Sequence, residues 1–323
     1  MEKRIRISTP SRIHLGFLEL DNSSERIFGS IGLTISKFEN IIEISKNKKF
    51  QIISDNQNAK KRIEEMVKIL KENYKIHRCK IEILKTIPQH IGLGSGTQLT
   101  LAIGSLISEL NNLNLNPKII SSMFGRGLRS GIGIQSFESG GFIVDCGKQK
   151  RSNSIPPVFF NSKWPKEWKI ILVFDNSTVG VSGKNETQEF KKIATTHPKI
   201  CKENCKALLM QILPGLMEKK FYVFTKGLRI IQENMSKVFY SSKKKYTSHK
   251  VEKIFKFLIK KKISGFGQTS WGPTGFIFCE NKKKRNELFS ELEHFIKLNN
   301  IQDIFLEKID GRNSGYKKKS LTE

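Results

Sequence analysis

Pro88 to Thr100, PQHIGLGSGTQLT, is the stretch that most restricts what this chain can fold into. Just upstream, Cys79, Ile81 and Ile83 alternate with Lys80, Glu82 and Lys85, the period-two signature of a half-buried strand. Just downstream, Leu99, Ala102, Leu106 and Leu110 recur at helical spacing. Between them Gly92, Gly94 and Gly96 remove the β-carbons that would hold a ligand away from the backbone. A helix that begins in such a loop presents unpaired N–H groups and the positive end of its dipole, so the stretch reads as a phosphate cradle. The plain alternative is a tight strand-to-helix connection with no ligand. The glycine spacing is not that of the dinucleotide fingerprint, and no Gly-Lys-Ser/Thr closes the loop as in a P-loop.

At 323 residues the chain exceeds the size at which single cores stop growing, so two domains are expected. The formal charge of +27 raises a nucleic-acid reading, because a basic surface attracts polyanions, but the same field steers small anionic substrates. Lysines are spread along the whole chain and far exceed arginines, which favours general solvation over a dedicated nucleic-acid face. Five scattered cysteines (Cys79, Cys146, Cys201, Cys205, Cys279) predict no disulfide framework, and with no apolar leader they point to a reducing cytoplasm. No apolar run approaches the roughly 20 residues that span a bilayer, so no membrane partner is expected.

In chain order, Lys3 to Ser8 reads as a strand that Thr9-Pro10-Ser11-Arg12 breaks. His14 follows in an apolar context, where a lone histidine is a core residue or a catalyst. Gly29 to Thr34 reads as a glycine-punctuated turn, Asn40 to Ser45 as a strand, and Lys60 to Tyr74 as an amphipathic helix with its Lys and Glu residues in water. Pro117 suits the first turn of a short helix to Phe124. In Gly125 to Gly147 two arginines and six glycines precede the strand-like Phe142 to Asp145, a pattern that suits anion binding, with flexible surface arginines as the alternative. Ser152 to Pro165 is an aperiodic connector, and the domain boundary is placed there.

Beyond it, Trp168 to Asp175 reads as a strand, and Asn185 to Ile193, Lys199 to Leu213 and Phe221 to Phe239 as helices, with Pro214-Gly215 as a break. His197, Cys201 and Cys205 share a helical face but lack a second ligand pair, and Pro198 interrupts the face, which weakens a metal reading. Lys253 to Lys262 is a basic amphipathic helix, and Gly265 to Phe278 is a third glycine-rich stretch, rich in neutral hydrogen-bonding groups. Ile304 to Ile309 reads as the last strand and Lys317 to Glu323 as a disordered polar tail.

Pro10-Ser11-Arg12-Ile13-His14, Gly92-Leu93-Gly94-Ser95-Gly96-Thr97-Gln98, the Gly125-Arg126-Gly127, Ser130-Gly131-Ile132-Gly133 and Gly140-Gly141-Phe142 elements, and Gly267-Gln268-Thr269-Ser270-Trp271-Gly272-Pro273-Thr274 together resemble one family. It is the beta-ribofuranosylaminobenzene 5'-phosphate synthase branch of the GHMP kinase superfamily. The resemblance runs from about Arg4 to Arg312 and implies an α+β, two-domain GHMP-kinase-like fold. Residues 1–160 would form a ribosomal-protein-like N-terminal domain, 161–312 a ferredoxin-like C-terminal domain, and 313–323 a disordered basic tail. The implied reaction condenses phosphoribosyl pyrophosphate with 4-aminobenzoate, or 4-hydroxybenzoate, releasing carbon dioxide and pyrophosphate on the way to methanopterin.

An ATP-dependent small-molecule kinase is the competing reading. The loop of superfamily kinases usually reads Gly-Leu-Gly-Ser-Ser-Ala, and here Gly96-Thr97 stand where its second Ser and Ala would be; those kinases also commonly carry an Asp where this chain has Gly133. A basic nucleic-acid-binding protein is the third reading, and it would leave three polar glycine loops idle. On the synthase reading, Arg126, Arg129, Gln268 and His14 are the candidate catalytic residues. Gly92, Gly94, Ser95, Gly96, Thr97, Ser130, Ser270, Trp271, Thr274 and Arg12 are the candidate substrate and phosphate contacts. Mg²⁺ on the pyrophosphate is expected, with Glu138 and Asp145 as carboxylates to meet it, and neither ATP nor pyridoxal phosphate. Small-molecule substrates are the expected partners, with a homodimer left open.

Overall fold

The computed structural model describes residues 4–20, 24–178, 180, 198–239, 246–270 and 272–321. The helix expected at Asn185 to Ile193, His197 and Trp271 lie outside the described residues.

A long hairpin organises the N-terminal half. β1 (Arg4–Glu19) and β2 (Arg26–Lys46) pair antiparallel from Arg4↔Ser45 to Glu19↔Phe28. The chain continues through β3 (Gln51–Ile53), α1 (Gln57–Asn73), β4 (Cys79–Lys85), α2 (Ser95–Asn111), α3 (Pro117–Met123) and α4 (Ile132–Glu138). β5 (Phe142–Asp145), β6 (Lys148–Gln149) and β7 (Val158–Ser162) complete this half. The strands run β12-β1-β2-β4-β3, with β5 paired to both β2 and β7, and β12 (Lys317–Leu321) returning from the far end of the chain. At one end of the hairpin Ile5, Ile7, Ile42 and Ile44 pack on Ile63, Met66 and Leu70 of α1 and Leu106 of α2. At the other end Ile13, Leu15, Ile31 and Leu33 belong to a core shared with the C-terminal half.

That half begins with β8 (Lys169–Asp175) and continues through α5 (Pro198–Ala207), a π-helical turn (Leu208–Ile212), α6 (Leu213–Met217), α7 (Phe221–Phe239) and α8 (His249–Lys260). β9 (Phe266–Gln268), β10 (Gly275–Cys279), α9 (Lys282–Leu298) and β11 (Ile304–Asp310) follow. The sheet order is β11-β8-β10-β9, all antiparallel. Numbered within this half the order is 4-1-3-2, with helices after the first and third strands, the ferredoxin-like pattern. β8 is buried on both faces: Ile170 and Leu172 join the shared core, while Ile171 and Val173 pack on α8 and α9. Its uninterrupted apolar run follows from that placement. α7 fills the space between the halves with Phe224, Leu228 and Ile231. Among the described residues no helix is long and apolar enough to cross a membrane.

Four sequence expectations are corrected. Thr9 to Arg12 does not end the first strand; the pairing shifts between Pro10 and Ser11, and a bulge is where a strand tolerates proline. Gly29 to Thr34 is not a turn, since Ser30 to Leu33 pair with β5 inside β2. Pro214 does not break its helix but stands in the first turn of α6, where a missing N–H costs nothing. The tail at 313–323 is not disordered through residue 321: β12 pairs with β1 from Ser8↔Lys317 to Arg4↔Leu321. An edge strand is held by backbone bonds and its lysines can face water, so apolar alternation is not required of it.

The tail is also seated by its side chains, with Tyr316 stacked on Phe137 at 4.4 Å between ring centroids and Gly315 against the Phe137 carbonyl. Truncation after Asn313 should therefore lower the melting midpoint. The aromatic stack alone contributes about 0.5–1.5 kcal/mol, and each kcal/mol moves the midpoint by about 2–4 °C for a domain of about 150–250 residues. An unchanged midpoint in a thermal melt would show that β12 adds nothing to stability.

Candidate active site

β4 hands the chain to a loop, residues 86–94, in which His90, Gly92 and Gly94 all have positive φ (61°, 87° and 79°). Gly94 is the N-cap of α2 and gives the helix no side-chain bond. α2 thus starts with the N–H groups of Ser95, Gly96 and Thr97 unpaired within the helix, and no acidic residue in its first turn. This end of the helix faces a cleft of about 630 Å³ bordered by Arg12, Arg62, Arg126, Glu65 and Ser270, among others.

The glycines have a more specific reason than open space. A β-carbon on Gly94 would lie 3.1–3.2 Å from the Arg12 side chain, and one on Gly96 would lie 2.8 Å from Nη1 of Arg62. Two guanidinium groups therefore flank Ser95. Arg12 is held by donation from Nη1 to the Gly92 carbonyl at 2.6 Å. Arg62 donates from Nη2 to Oγ1 of Thr100 at 3.2 Å, and that hydroxyl donates to the Gly96 carbonyl at 2.9 Å. Both arginines are thus tied to the loop and helix they charge.

Arg62 was not among the residues expected from the sequence. With Asn58, Lys61 and Glu65 it lines the cleft from α1, at positions i, i+3, i+4 and i+7 of one helical face. The sequence expectation put the Lys and Glu residues of that helix in water. The signal available was a single arginine among lysines on a face of that period. Arg12, Lys61, Arg62 and Arg126 face one carboxylate, Glu65, among the described lining residues. Cations around a helix N-terminus repel its dipole, so the arrangement is one that a bound anion would balance.

The third glycine stretch closes the other wall. Oγ1 of Thr269, fully buried, accepts from the His14 backbone N–H at 2.9 Å and donates to the Gly92 carbonyl at 2.9 Å. The backbones touch as well: β-carbons on Gly92 and Gly272 would fall 2.4 Å from the Thr269 carbonyl oxygen and from Ile91, respectively. Ser270 borders both the cleft and a smaller pocket formed by His14, Phe17, Met235, Phe239, Tyr246 and Gln268, with others.

His14 is placed there by a bulge in β1, where pairing shifts between His14 and Gly16. Its ring packs on Phe17 at 4.6 Å, and Nδ1 accepts from the Gly16 N–H at 3.3 Å. Burial, and then the neighbouring Arg12 charge, lower its pKa from 6.5 to about 3, so the imidazole is neutral near pH 7. Gln268 is a framework residue: Oε1 accepts from the Thr247 N–H at 2.8 Å, and Nε2 donates to the Ser270 carbonyl at 2.9 Å.

The remaining candidates are elsewhere. Arg129 lies beside Lys148, whose pKa is lowered by burial and then by that charge. Ser130 bonds Ser30 at 2.6 Å and receives the Ile132 N–H at 3.3 Å at the start of α4. Thr274 is buried, its carbonyl accepting from the Thr269 N–H. Asp145 is no metal ligand: its carboxylate is buried and accepts from Ser30 at 2.5 Å, Gly131 at 2.9 Å, Gly147 at 3.0 Å and Ser130 at 3.3 Å. Burial pushes its pKa up against those bonds. Glu138 is exposed at the end of α4 and is not among the lining residues of the cleft. Among the described residues no group of three or more His, Cys, Asp or Glu could hold a metal ion; Cys201 is buried and Cys205 exposed. For Mg²⁺ on a phosphorylated ligand, the cleft offers Glu65, which fits an ion that takes one or two carboxylates, water and phosphate oxygens. Gly133 packs on Thr97, whose methyl carbon would be 3.1 Å from a β-carbon there.

Residues 61–142 match the family described as the GHMP kinases N terminal domain. A beta-ribofuranosylphenol 5'-phosphate synthase of Methanocaldococcus jannaschii is 32% identical over 314 residues, spanning 88% of this chain and 93% of that protein. One of Archaeoglobus fulgidus is 32% identical over 240 residues, spanning 71% and 75%. Among solved structures, the fold is similar to homoserine kinase from Cytophaga hutchinsonii, with TM-score 0.67, 14% identity and coverage of 98% and 97%. It is also similar to mevalonate diphosphate decarboxylase from Enterococcus faecalis, with TM-score 0.66, 16% identity and coverage of 99% and 100%. These structures establish the fold, the α+β GHMP-kinase-like architecture expected from the sequence.

The two kinds of glycine should separate experimentally. Gly92→Ala drives a β-carbon into a backbone carbonyl at positive φ and should destabilise by about 1–3 kcal/mol or more. Gly96→Ala meets only the tip of Arg62 and gains helix propensity, so its melting midpoint should be unchanged or higher while pyrophosphate binding weakens. Equal midpoints for the two variants would contradict this division.

Proposed function

Because this chain belongs to the beta-ribofuranosylphenol 5'-phosphate synthase family, we propose that it transfers the ribosyl 5'-phosphate of phosphoribosyl pyrophosphate to the carboxylated ring carbon of a para-substituted benzoate. The observation that carries the reading is the pair of arginines, Arg12 and Arg62, seated on Gly94 and Gly96 around an uncapped helix N-terminus. Such a site suits a ligand with two phosphorylated ends better than a singly charged one.

Departure of pyrophosphate leaves an oxocarbenium-like anomeric carbon. The ring carbon bearing the carboxylate attacks it, helped by electron release from the para hydroxyl or amino group. One carbon–carbon bond forms, and the electron pair of the carbon–carboxylate bond returns to the ring as carbon dioxide leaves. No proton is taken from the nucleophile, so no general base is called for, in keeping with Gly133 where superfamily kinases commonly carry Asp. The chain's part is to hold both phosphates and stabilise the leaving charge with Arg12, Lys61, Arg62, Arg126 and the α2 N–H groups. When bound, Mg²⁺ supplies further neutralisation of the pyrophosphate, and Glu65 is the carboxylate that would hold it.

Carboxyl-labelled 4-hydroxybenzoate or 4-aminobenzoate with phosphoribosyl pyrophosphate should give labelled carbon dioxide without ATP. Strict ATP dependence with ADP formation would replace this reading by phosphoryl transfer. Arg62→Ala and Arg126→Ala should each lower kcat/KM for phosphoribosyl pyrophosphate about 10- to 150-fold, the effect of one charge-assisted bond of about 1.5–3 kcal/mol. Arg129→Ala, beside Lys148, should stay near wild type. Unchanged kinetics in folded variants of both Arg62 and Arg126 would move the phosphates out of this cleft.

A further inference from the structure

Around the small pocket, among the described side chains, Nε2 of His14 is the buried polar atom left without a hydrogen-bond partner. Leaving a buried donor or acceptor unpaired is destabilising, so its retention calls for a reason. Its chemical state follows from geometry. The Gly16 N–H donates to Nδ1, and a neutral ring that accepts at Nδ1 carries its proton on Nε2. His14 therefore offers a donor and nothing else to a group entering this pocket. Both side-chain amides of the pocket are committed: Gln232 accepts from the Gln268 N–H and donates to the Leu15 carbonyl, and Gln268 is bonded at both ends of its amide. The Ser236 hydroxyl donates to the Glu233 carbonyl, and the hydroxyl residues Tyr246 and Ser270 complete the polar lining.

The space beside His14 is small, about 30 Å³, room for one or two water-sized groups and not for an aromatic ring. Ser270 stands between it and the phosphate cleft. A benzoate at that boundary has its carboxylated carbon on the cleft side and its para substituent, at the opposite end of the ring, on the pocket side. We infer that His14 is the specificity-determining residue for that substituent, pairing its Nε2–H with a para oxygen and disfavouring a para amine. The inference rests on the proposed function and adds to it the group that distinguishes the two benzoates. An aryl amine delocalises its lone pair into the ring and presents N–H groups, so it would set donor against donor in a buried site, whereas a phenol oxygen accepts.

The test is a ratio. The wild-type enzyme should use 4-hydroxybenzoate with a higher kcat/KM than 4-aminobenzoate by about 10-fold or more, as expected of one mismatched buried hydrogen bond. In His14→Gln the amide can turn to offer either a donor or an acceptor, and the ratio should fall towards one, mostly through KM. A general loss of packing would lower both activities and leave the ratio in place. A wild-type preference for the amine, or an unchanged ratio in His14→Gln, overturns the role of His14 while leaving the reaction standing. No product from either acid overturns the reaction and this inference with it. A measurement on the wild-type protein covers a variant that fails to fold: ¹⁵N spectra of the imidazole should report the Nε2–H tautomer, with Nε2 shifting on addition of 4-hydroxybenzoate and not of benzoate. An Nδ1–H tautomer, or no response, would also overturn it.

Discussion

The hydroxyl of Thr269 joins parts of the chain that are 255 and 177 residues away, His14 on β1 and Gly92 in the loop before α2. It is a single group in the role of both acceptor and donor, and it is fully buried. Without it the His14 N–H would be left unpaired in a buried site, at a cost of about 1–3 kcal/mol, and the Gly92 carbonyl would keep only its bond from Arg12. Two walls of the site meet at this junction. Gly92 and Gly272 lack side chains because the two loops touch through their backbones there, and the Arg12 N–H donates to the Leu93 carbonyl at 3.1 Å alongside. The cleft and the histidine pocket share Ser270, the residue next to Thr269, so the position of one relative to the other is set by the same contact.

Charge in the cleft runs against the ordinary preferences of a helix. α2 begins with a glycine cap and no acidic first turn, and it is approached by arginines where anions are favoured. The surrounding fold sustains this by holding each guanidinium on a backbone or hydroxyl oxygen, Arg12 on Gly92 and Arg62 on Thr100. Such preorganisation means that the positive groups need not rearrange when a phosphorylated ligand arrives. The neutrality of His14 belongs to the same arrangement, since burial and the Arg12 charge both oppose a second proton on the ring.

Much of this was legible in the order of residues. Period-two alternation marked β4 and the apolar run marked β8, and period 3.6 marked α1 and α7, because burial of one face leaves a repeat in the sequence. The glycine stretches at 92–96 and 265–274 marked two walls of the site, since backbone contact excludes side chains wherever it occurs. Asp145 and Glu138, carboxylates near a glycine-rich stretch, have the right chemistry for a metal. Nothing in a linear order reveals that one is saturated by four protein donors and the other exposed at the end of α4.

The sequence by itself determined the family and those helices and strands that bury one face, because secondary-structure periodicity and contiguous loop motifs are local properties written in consecutive residues. Only the tertiary structure decided which charges face the cleft. Arg62 and Glu65 lie on a helix remote in sequence from the glycine loop, and their polar face is indistinguishable from a solvated one until α1 packs beside α2. It also decided that β12 is a strand, because an edge is held by hydrogen bonds to its neighbour and not by its own side chains. The donor state of His14 was decided in the same way: a tautomer is set by what lies opposite each ring nitrogen, and that is fixed by the bulge at Gly16.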